Sequence, residues 1–398
     1  MHQSRCAILA LGVCLPFLAS AQHQARPVTV EQLEQELMAV HDTPDAKAAH
    51  QISDLELTQR MSDTRLAPWK TRLPGAKSWD ALVALADLSA FLDPPAAEIP
   101  ADAPPDLAAQ QRMMLNIINY LKTTIPKLPN FIATQTTIRY EEYTQNDRLP
   151  AEDDHIDRPL QKTGSTDATV VYRNGIDVVE VPARHGSIEN VDVGRLQTTG
   201  AFGTILSVMV PNVITSHSVL SWSRWGQGAR GLRAIYRYTV PENKSLYEIT
   251  FCCLPESNGT IAFKKKPGYH GEIVVDPVSG AILRMTVVAE LTPTLPIIQS
   301  EIMVDYKPVE IGGKTYICPS RSIYFVRGRS LRPYNSYLFG SSSVYGPYIS
   351  MLNDVSYEGY HIFRAESRVL ATDEPVPEEQ QGNPGATETP APEPKPMP

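Results

Sequence analysis

The chain has 398 residues, of which 42% are hydrophobic and 20% are charged, and its formal net charge is −8. This is ordinary globular composition, and the length suffices for one large domain or two smaller ones. Nothing in the charge pattern indicates nucleic-acid binding. After the first 21 residues, no stretch approaches the ~20 apolar residues that a membrane-spanning helix needs.

The N-terminus has the three parts of a secretory signal peptide. Arg5 precedes an apolar run from Cys6 to Leu18, and the small residues Ala19-Ser20-Ala21 follow it. A buried N-terminal helix is the alternative, but nothing amphipathic follows the run directly. The sequence therefore predicts cleavage near Ala21 and a protein that is periplasmic or secreted.

Residues 22–95 are predicted to form a helical N-terminal region. Thr29 with Gln32, and Ser53 with Glu56, have the spacing of a capping box. Ser78 is expected to cap a helix of mostly apolar residues that ends before Asp93-Pro94-Pro95. A Pro-rich linker over 96–105 separates this region from the rest of the chain.

A longer helix is predicted from Asp106 to Thr124. Its expected apolar face is Leu107, Met114, Leu115, Ile118 and Leu121.

From Phe131 onward the pattern is that of β-strands, and residues 106–370 are predicted to form one β-rich domain. Asn174-Gly175 and Gly312-Gly313 indicate hairpin turns, and Pro277-Val278-Ser279-Gly280 indicates another turn. Strands joined by tight turns form an antiparallel meander. The predicted fold class is therefore α+β, with a curved antiparallel sheet, or half-barrel, covered by the helix from Asp106.

The sequence leaves the structure of two segments and the pairing of the cysteines undecided. Phe202 to Val213 fits a short helix or a buried strand, and the glycine-rich segment with Trp222 and Trp225 fits a turn. Cys318 has Cys252 and Cys253 as partners for a disulfide, although buried free thiols fit equally well. Residues 371–398 are acidic and Pro-rich, and this composition predicts a disordered tail.

No catalytic or metal-binding motif is present. The sequence lacks GxSxG, HExxH and Walker motifs, and its histidines are scattered. His217 between Ser216 and Ser218 is not a dyad without a third, orienting group, so a hydrolase is the least favoured class. Asp153, Asp154, His155 and Asp157 lack the pattern of a calcium loop. The sequence therefore predicts no enzyme, no metal and no cofactor.

The strands place large apolar residues on one face, and basic residues cluster locally. An apolar cavity with a basic rim suits an amphiphile with an anionic head. The basic clusters are Arg224, Arg230, Arg233 and Arg237; Lys264, Lys265 and Lys266; and Arg321, Arg327, Arg329 and Arg332. The candidate ligand-binding residues are Tyr236, Tyr238, Tyr247, Phe251, Ile273, Leu283, Met285, Val287, Ile302 and Val304.

The resulting hypothesis is a non-catalytic protein of the cell envelope that binds a hydrophobic or lipidated ligand on the concave face of the sheet. The alternative is an envelope protein-interaction or sensor module with a filled core. In that case the helical region or the tail would contact a protein partner.

The run from Gly271 to Met285 resembles a segment of the LolA-type periplasmic lipoprotein carriers and of the related sensor domains of sigma-factor regulatory proteins. The shared features are a strand, a D-x-x-[ST]-G turn at Asp276 to Gly280, and a returning strand. The resemblance covers roughly Asp106 to Phe363. It implies a half-barrel closed by helices over an apolar cavity that accepts acyl chains. The helical N-terminal region and the tail depart from the carriers.

A second resemblance spans nearly the whole chain. Phe91 to Ile99, Leu128 to Gln135, and Ile311 to Tyr316 with Pro319 are similar to a group of uncharacterised secreted proteins of acidobacteria. This resemblance implies no assigned activity.

Overall fold

The computed structural model describes residues 25–142, 159–180, 196, 205–215, 219–229, 231–256, 259–336 and 340–363. The predicted signal peptide, the acidic residues from Asp153 to Asp157, the segment around His217 and the predicted tail lie outside these ranges.

The N-terminal region is helical, as predicted. Thr29 and Gln32 form the expected capping box, in which each side chain accepts from the other residue's backbone N–H. The second predicted box is wrong, because Ser53 ends a helix instead of starting one. The helices are α1 (Val30–Ala39), α2 (Asp45–Ser53), α3 (Asp63–Leu66) and α4 (Ala76–Leu88), with a parallel pair of short strands, β1 (Arg26–Val28) and β2 (Leu55–Leu57).

The start of α4 is capped from another helix. Ser78 is the third residue of α4, so its predicted N-cap position is wrong, although its Oγ accepts from the backbone N–H of the N-cap residue Gly75 at 3.3 Å. The carboxylate of Asp45 in α2 instead accepts from the backbone N–H of Ser78 at 2.9 Å and of Lys77 at 3.1 Å. A helix N-terminus leaves N–H groups unpaired, and here a neighbouring helix supplies the acceptor.

A large antiparallel sheet forms most of the chain, and the predicted α+β class is confirmed. Ten strands are hydrogen-bonded in the order β5-β4-β3-β14-β13-β12-β11-β10-β7-β6, and the sheet stays open instead of closing into a barrel. These strands are β3 (Phe131–Glu142), β4 (Leu160–Arg173), β5 (Ile176–Glu180), β6 (Val219–Gly228), β7 (Gly231–Val240), β10 (Tyr269–Val275), β11 (Ile282–Ala289), β12 (Ile297–Ile311), β13 (Lys314–Ser336) and β14 (Gly340–Ile362). A separate hairpin consists of β8 (Ile249–Glu256) and β9 (Gly259–Lys265).

The predicted turns are confirmed. Asn174 and Gly175 have φ angles of 51° and 85°, the left-handed pair that a tight two-residue hairpin requires. Gly312 and Gly313 join β12 to β13 in the same way. At the third turn, the Asp276 carboxylate accepts from the backbone N–H groups of Val278 and Ser279.

One face of the sheet is covered by α5 (Leu107–Thr123) and by a helical segment made of a π-helical turn (Ile205–Met209) and α6 (Val210–Thr215). Of the two alternatives for Phe202 to Val213, a short helix or a buried strand, the described part of the segment is a helix. In the glycine-rich segment, Trp222 and Trp225 lie on strand β6, so the predicted turn is wrong at these residues. The end of the segment is a turn between β6 and β7, where Gly228 pairs with Gly231.

The buried face of α5 agrees only in part with the predicted one, since Met114 and Leu121 pack against the core as expected. Met113, Ile117 and Tyr120 are buried, whereas Leu107 and Leu115 are 70% and 65% exposed. The turn between β10 and β11 explains the difference, because it fixes the rotation of the helix. Asn116 donates from its amide to the carbonyls of Pro277 at 3.2 Å and of Val278 at 3.0 Å.

The opposite face of the sheet is covered by the N-terminal helical region. Val83, Ala84 and Ala90 pack against the sheet residues Tyr140, Met303, Ile323, Phe325 and Leu352. The sheet therefore has helices on both faces. The sequence predicted only the cover by α5, because the second face of the strands was expected to be polar, whereas Met303, Ile323 and Phe325 lie on it.

Cys318 is a free thiol, buried in the cluster around Phe131. Burial raises the pKa of this thiol to about 12, so it is unreactive at neutral pH. None of the helices in the described ranges is long and apolar enough to cross a membrane.

Candidate functional site

Most of the predicted ligand-binding residues lie in the core beneath α5. Tyr236, Tyr238, Ile273, Met285, Val287 and Val304 are buried there, and Tyr247 and Ile302 pack at its margin. Phe251 lies in a smaller cluster with Ile249 and Ile297. These residues contact one another and the covering helices.

Leu283 is the exception, because a β-bulge moves it to the other face of the sheet. Arg284 pairs with Val274, and Ile282 already pairs with Val275, so Leu283 is an extra residue in β11. A bulge of this kind inverts the alternation of a strand from that point on. The simple alternation that grouped Leu283 with Met285 is therefore wrong in register, and Leu283 lines a cavity on the opposite face.

This cavity lies between the N-terminal helical region and the sheet, and its volume is about 1130 Å³. One wall includes residues 60–66, which contain α3, residues 97–100, which follow the N-terminal helices, and Ala86, Asp87 and Ala90. The opposite wall consists of residues 224–229 at the end of β6, together with side chains of β7, β10, β11, β12 and β13. We call it the interface cavity.

Part of the interface cavity is apolar. The apolar side chains that line it are Met61, Leu66, Trp225, Ile235, Val274, Leu283 and Met303. The indole N–H of Trp225 donates to the carbonyl of Ala103 at 2.9 Å, which fixes this ring at the end of β6. Apolar walls combined with a few placed polar groups are typical of small-ligand sites.

Two glycines of β6 shape this wall. A Cβ at Gly226 would lie 2.8 Å from Cδ1 of Ile235, and one at Gly228 would lie 2.3 Å from Nε of Arg233. The side chains of Ile235 and Arg233 on β7 therefore lie close over the backbone of β6 at these two glycines. The sequence pattern was interpreted as a turn, but the glycines allow close packing of side chains within a strand.

A ladder of charged side chains crosses the floor of the interface cavity. Arg284, Asp305 and Arg321 lie directly opposite one another on β11, β12 and β13. Arg284 binds both carboxylate oxygens of Asp305, at 2.6 and 2.7 Å. Arg321 donates to Asp354 at 2.8 Å and also to Asp87 of α4, which joins the helical region to the sheet.

A second group of ion pairs lies beside the ladder. Arg224 binds both oxygens of Glu272, at 2.5 and 2.8 Å, and Arg237 donates to Asp93 at 2.5 Å. The side chain of Arg224 is only 10% exposed. Its Nε–H is buried and has no acceptor within the described part of the chain.

Arg60 has no ion-pair or hydrogen-bond partner for its guanidinium among the described residues, although it lines the same cavity. Burial lowers the pKa of Arg60 to about 10, and the cations of Arg284 and Arg224 contribute to the decrease. The carboxylates of Glu272 and Asp305 oppose this effect, but each is already bound to another arginine. Arg60 is therefore a partly buried cation that has no counter-ion of its own among the described side chains.

The other predicted basic residues are distributed differently. Arg233 and Arg321 line the interface cavity. Lys264, Lys265 and Lys266 lie on β9 or directly after it and face Glu248 and Glu242 instead. The position of Arg230 is outside the described residues.

The described ranges contain no group of three or more His, Cys, Asp or Glu side chains arranged to hold a metal ion. The chain matches no protein-family model, no curated protein and no solved structure.

Proposed function

We propose that this protein is a non-catalytic binding protein of the cell envelope that holds a hydrophobic or lipidated ligand in the interface cavity. The cavity volume of about 1130 Å³ is the observation that carries the proposal. Sites for small ligands usually occupy roughly 300–1,000 Å³. The envelope location rests on the signal-peptide pattern of residues 1–21.

The apolar wall supports binding of an alkyl or acyl chain. Leu66, Trp225 and Leu283 lie around space that the protein's own side chains leave open. Removing an apolar chain from water gains about 0.8 kcal/mol per buried CH₂ group. The core beneath α5 supports the proposal less, because its aromatic residues already contact the helices.

The direct test is native mass spectrometry of protein purified from the periplasm, followed by solvent extraction of the bound material. We expect an amphiphile that copurifies with the folded chain and is released on denaturation. Protein that repeatedly carries no extractable amphiphile would argue against the proposal and favour the interaction-module hypothesis.

A second test fills part of the interface cavity by substitution and compares the result with a matched control variant. Ala97 lines the interface cavity, whereas its neighbour Ala96 is exposed in the same short 3₁₀ helix and does not line it. We expect Ala97→Trp to weaken binding of Nile red, an uncharged fluorescent dye, by about tenfold, because an indole fills part of the space. Ala96→Trp is expected to bind the dye as the parent does. If both variants bound the dye as tightly as the parent, the dye would not occupy the interface cavity, and this would contradict the proposed binding site.

A further inference from the structure

We infer that the interface cavity contains an anion subsite, centred on Arg60 beside Arg224, which binds the acidic head group of the ligand. The inference rests on the proposed function and names the chemical class of that ligand. The head group is an oxyanion, a carboxylate or a phosphate, attached to the apolar chain.

Among the four arginines of this group, Arg60 is the one that forms no ion pair with a described carboxylate. Arg60, Arg224, Arg237 and Arg284 carry four positive charges, and Asp93, Glu272 and Asp305 carry three negative ones. Each carboxylate is bound to an arginine other than Arg60. A bound oxyanion would give Arg60 the counter-ion that these carboxylates do not supply.

A buried donor without an acceptor also indicates a missing partner. Leaving a buried polar group unpaired costs about 1–3 kcal/mol, so proteins rarely retain one without a reason. The Nε–H of Arg224 is such a group, and Arg224 lines the cavity with Arg60. Arginine donors and oxyanions form short, charge-assisted hydrogen bonds.

A third cation strengthens this wall. Arg233 also lines the interface cavity and forms no ion pair within the described residues. The positive charge of Arg233 therefore attracts an anion into the cavity before the anion reaches Arg60. The apolar residues around Leu283 then accept the chain that the head group carries.

The test compares three ligands with the same chain, namely dodecanol, dodecanoate and dodecyl phosphate, and adds inorganic phosphate alone. We expect the parent protein to bind both acids at least about tenfold more tightly than dodecanol in calorimetric titrations, as charge-assisted bonds provide. Arg60→Gln should bind the acids about as weakly as dodecanol and leave dodecanol binding unchanged. Arg60→Lys should restore part of the difference, since it retains the charge.

Arg112→Gln is the matched control, because Arg112 is exposed on α5, which covers the other face of the sheet. This variant should bind all ligands as the parent does. Thermal unfolding without ligand separates a binding role from a structural one. Arg60→Gln is expected to be as stable as the parent or more stable, because it removes a cation that burial and two neighbouring arginines disfavour.

Equal affinity of the parent for dodecanol and the two acids would overturn the anion subsite and leave the proposed function intact. No binding of any alkyl ligand would overturn both. Tight, Arg60-dependent binding of inorganic phosphate alone would support the subsite and identify a free anion, instead of a head group, as its occupant. A large loss of stability in Arg60→Gln would assign Arg60 a structural role and contradict the inference.

Discussion

The ionisation of Asp87 depends on the packing of α4 against the sheet. Asp87 lies in α4 with only 1% of its side chain exposed, and it accepts a hydrogen bond from Arg321. Arg321 also contacts Asp63 at 3.5 Å and Asp354 at 2.8 Å, so one cation faces three carboxylates. Burial, and next the neighbouring Asp354, raise the pKa of Asp87 well above its usual value.

This shift predicts a pH dependence of stability with a defined sign. The native state retains a proton on Asp87 that the unfolded chain releases, so the free energy of unfolding falls as pH rises from about 4 toward neutrality. Asp87→Asn should remove this contribution. Urea denaturation of both proteins across that range should show the parent losing up to about 1.4 kcal/mol per pH unit relative to the variant.

Asp42→Asn provides the control for the Asp87 experiment, because Asp42 is exposed after α1. Its pH profile should follow that of the parent. If Asp87→Asn also ran parallel to the parent throughout the range, Asp87 would be ionised in both states and the argument would be wrong.

The turn between β10 and β11 shows how a local motif determines tertiary packing at the scale of an element. Gly280 has a φ of +73°, and a Cβ at this position would lie 2.2 Å from the carbonyl carbon of Asn116 in α5. Glycine is therefore required twice, once by the backbone conformation and once by the approach of the helix. The same contact sets which face of α5 is buried.

Gly280→Ala is expected to lower the free energy of unfolding by about 2–4 kcal/mol, the sum of a left-handed backbone penalty and a steric overlap. Gly313→Ala is the matched control, since Gly313 has a φ of +78° and nothing within 4 Å of an added Cβ. It should lose only about 1 kcal/mol, from the backbone alone. Chemical denaturation measures both. Equal losses would show that the contact with α5 contributes nothing.

At the scale of the whole molecule, the N-terminal helical region packs on one face of the sheet and covers apolar side chains there. Ion pairs from Asp80 to Lys162 and from Asp93 to Arg237 join the two parts, and the cluster around Phe325 lies between them. An ion pair between exposed groups contributes little by itself. The apolar contact, together with the buried contact between Arg321 and Asp87, therefore supplies most of the attachment.

We expect a fragment of residues 106–363 to bind the dye ANS strongly and to aggregate, because it exposes the apolar side chains that the helical region covers. Adding a fragment of residues 25–105 should reduce the dye signal. Fluorescence and light scattering measure the two effects. A soluble fragment of residues 106–363 with the thermal stability of the full chain would contradict this account and make the helical region an independent domain.

The amino-acid sequence by itself determined the class of fold and most of its local structure. The capping box at Thr29, the hairpin at Asn174-Gly175 and the helix after Asp106 were predictable, because each depends on neighbours a few residues away. The alternating strands likewise determined an antiparallel sheet. The basic residues Arg224 and Arg233 were also identified as candidates for a ligand site.

Only the tertiary structure decided which face of the sheet carries the candidate site. The bulge at Leu283, the rotation of α5 and the cover by the helical region all depend on contacts between residues far apart in the chain. Arg60 gave no sequence signal, because the absence of a counter-ion in the described part of the chain is a property of the folded cluster. The spacing of apolar residues along one helix or strand predicts which of its side chains are buried. A cavity exists only where separate elements pack and leave space between them, so it depends on the tertiary structure.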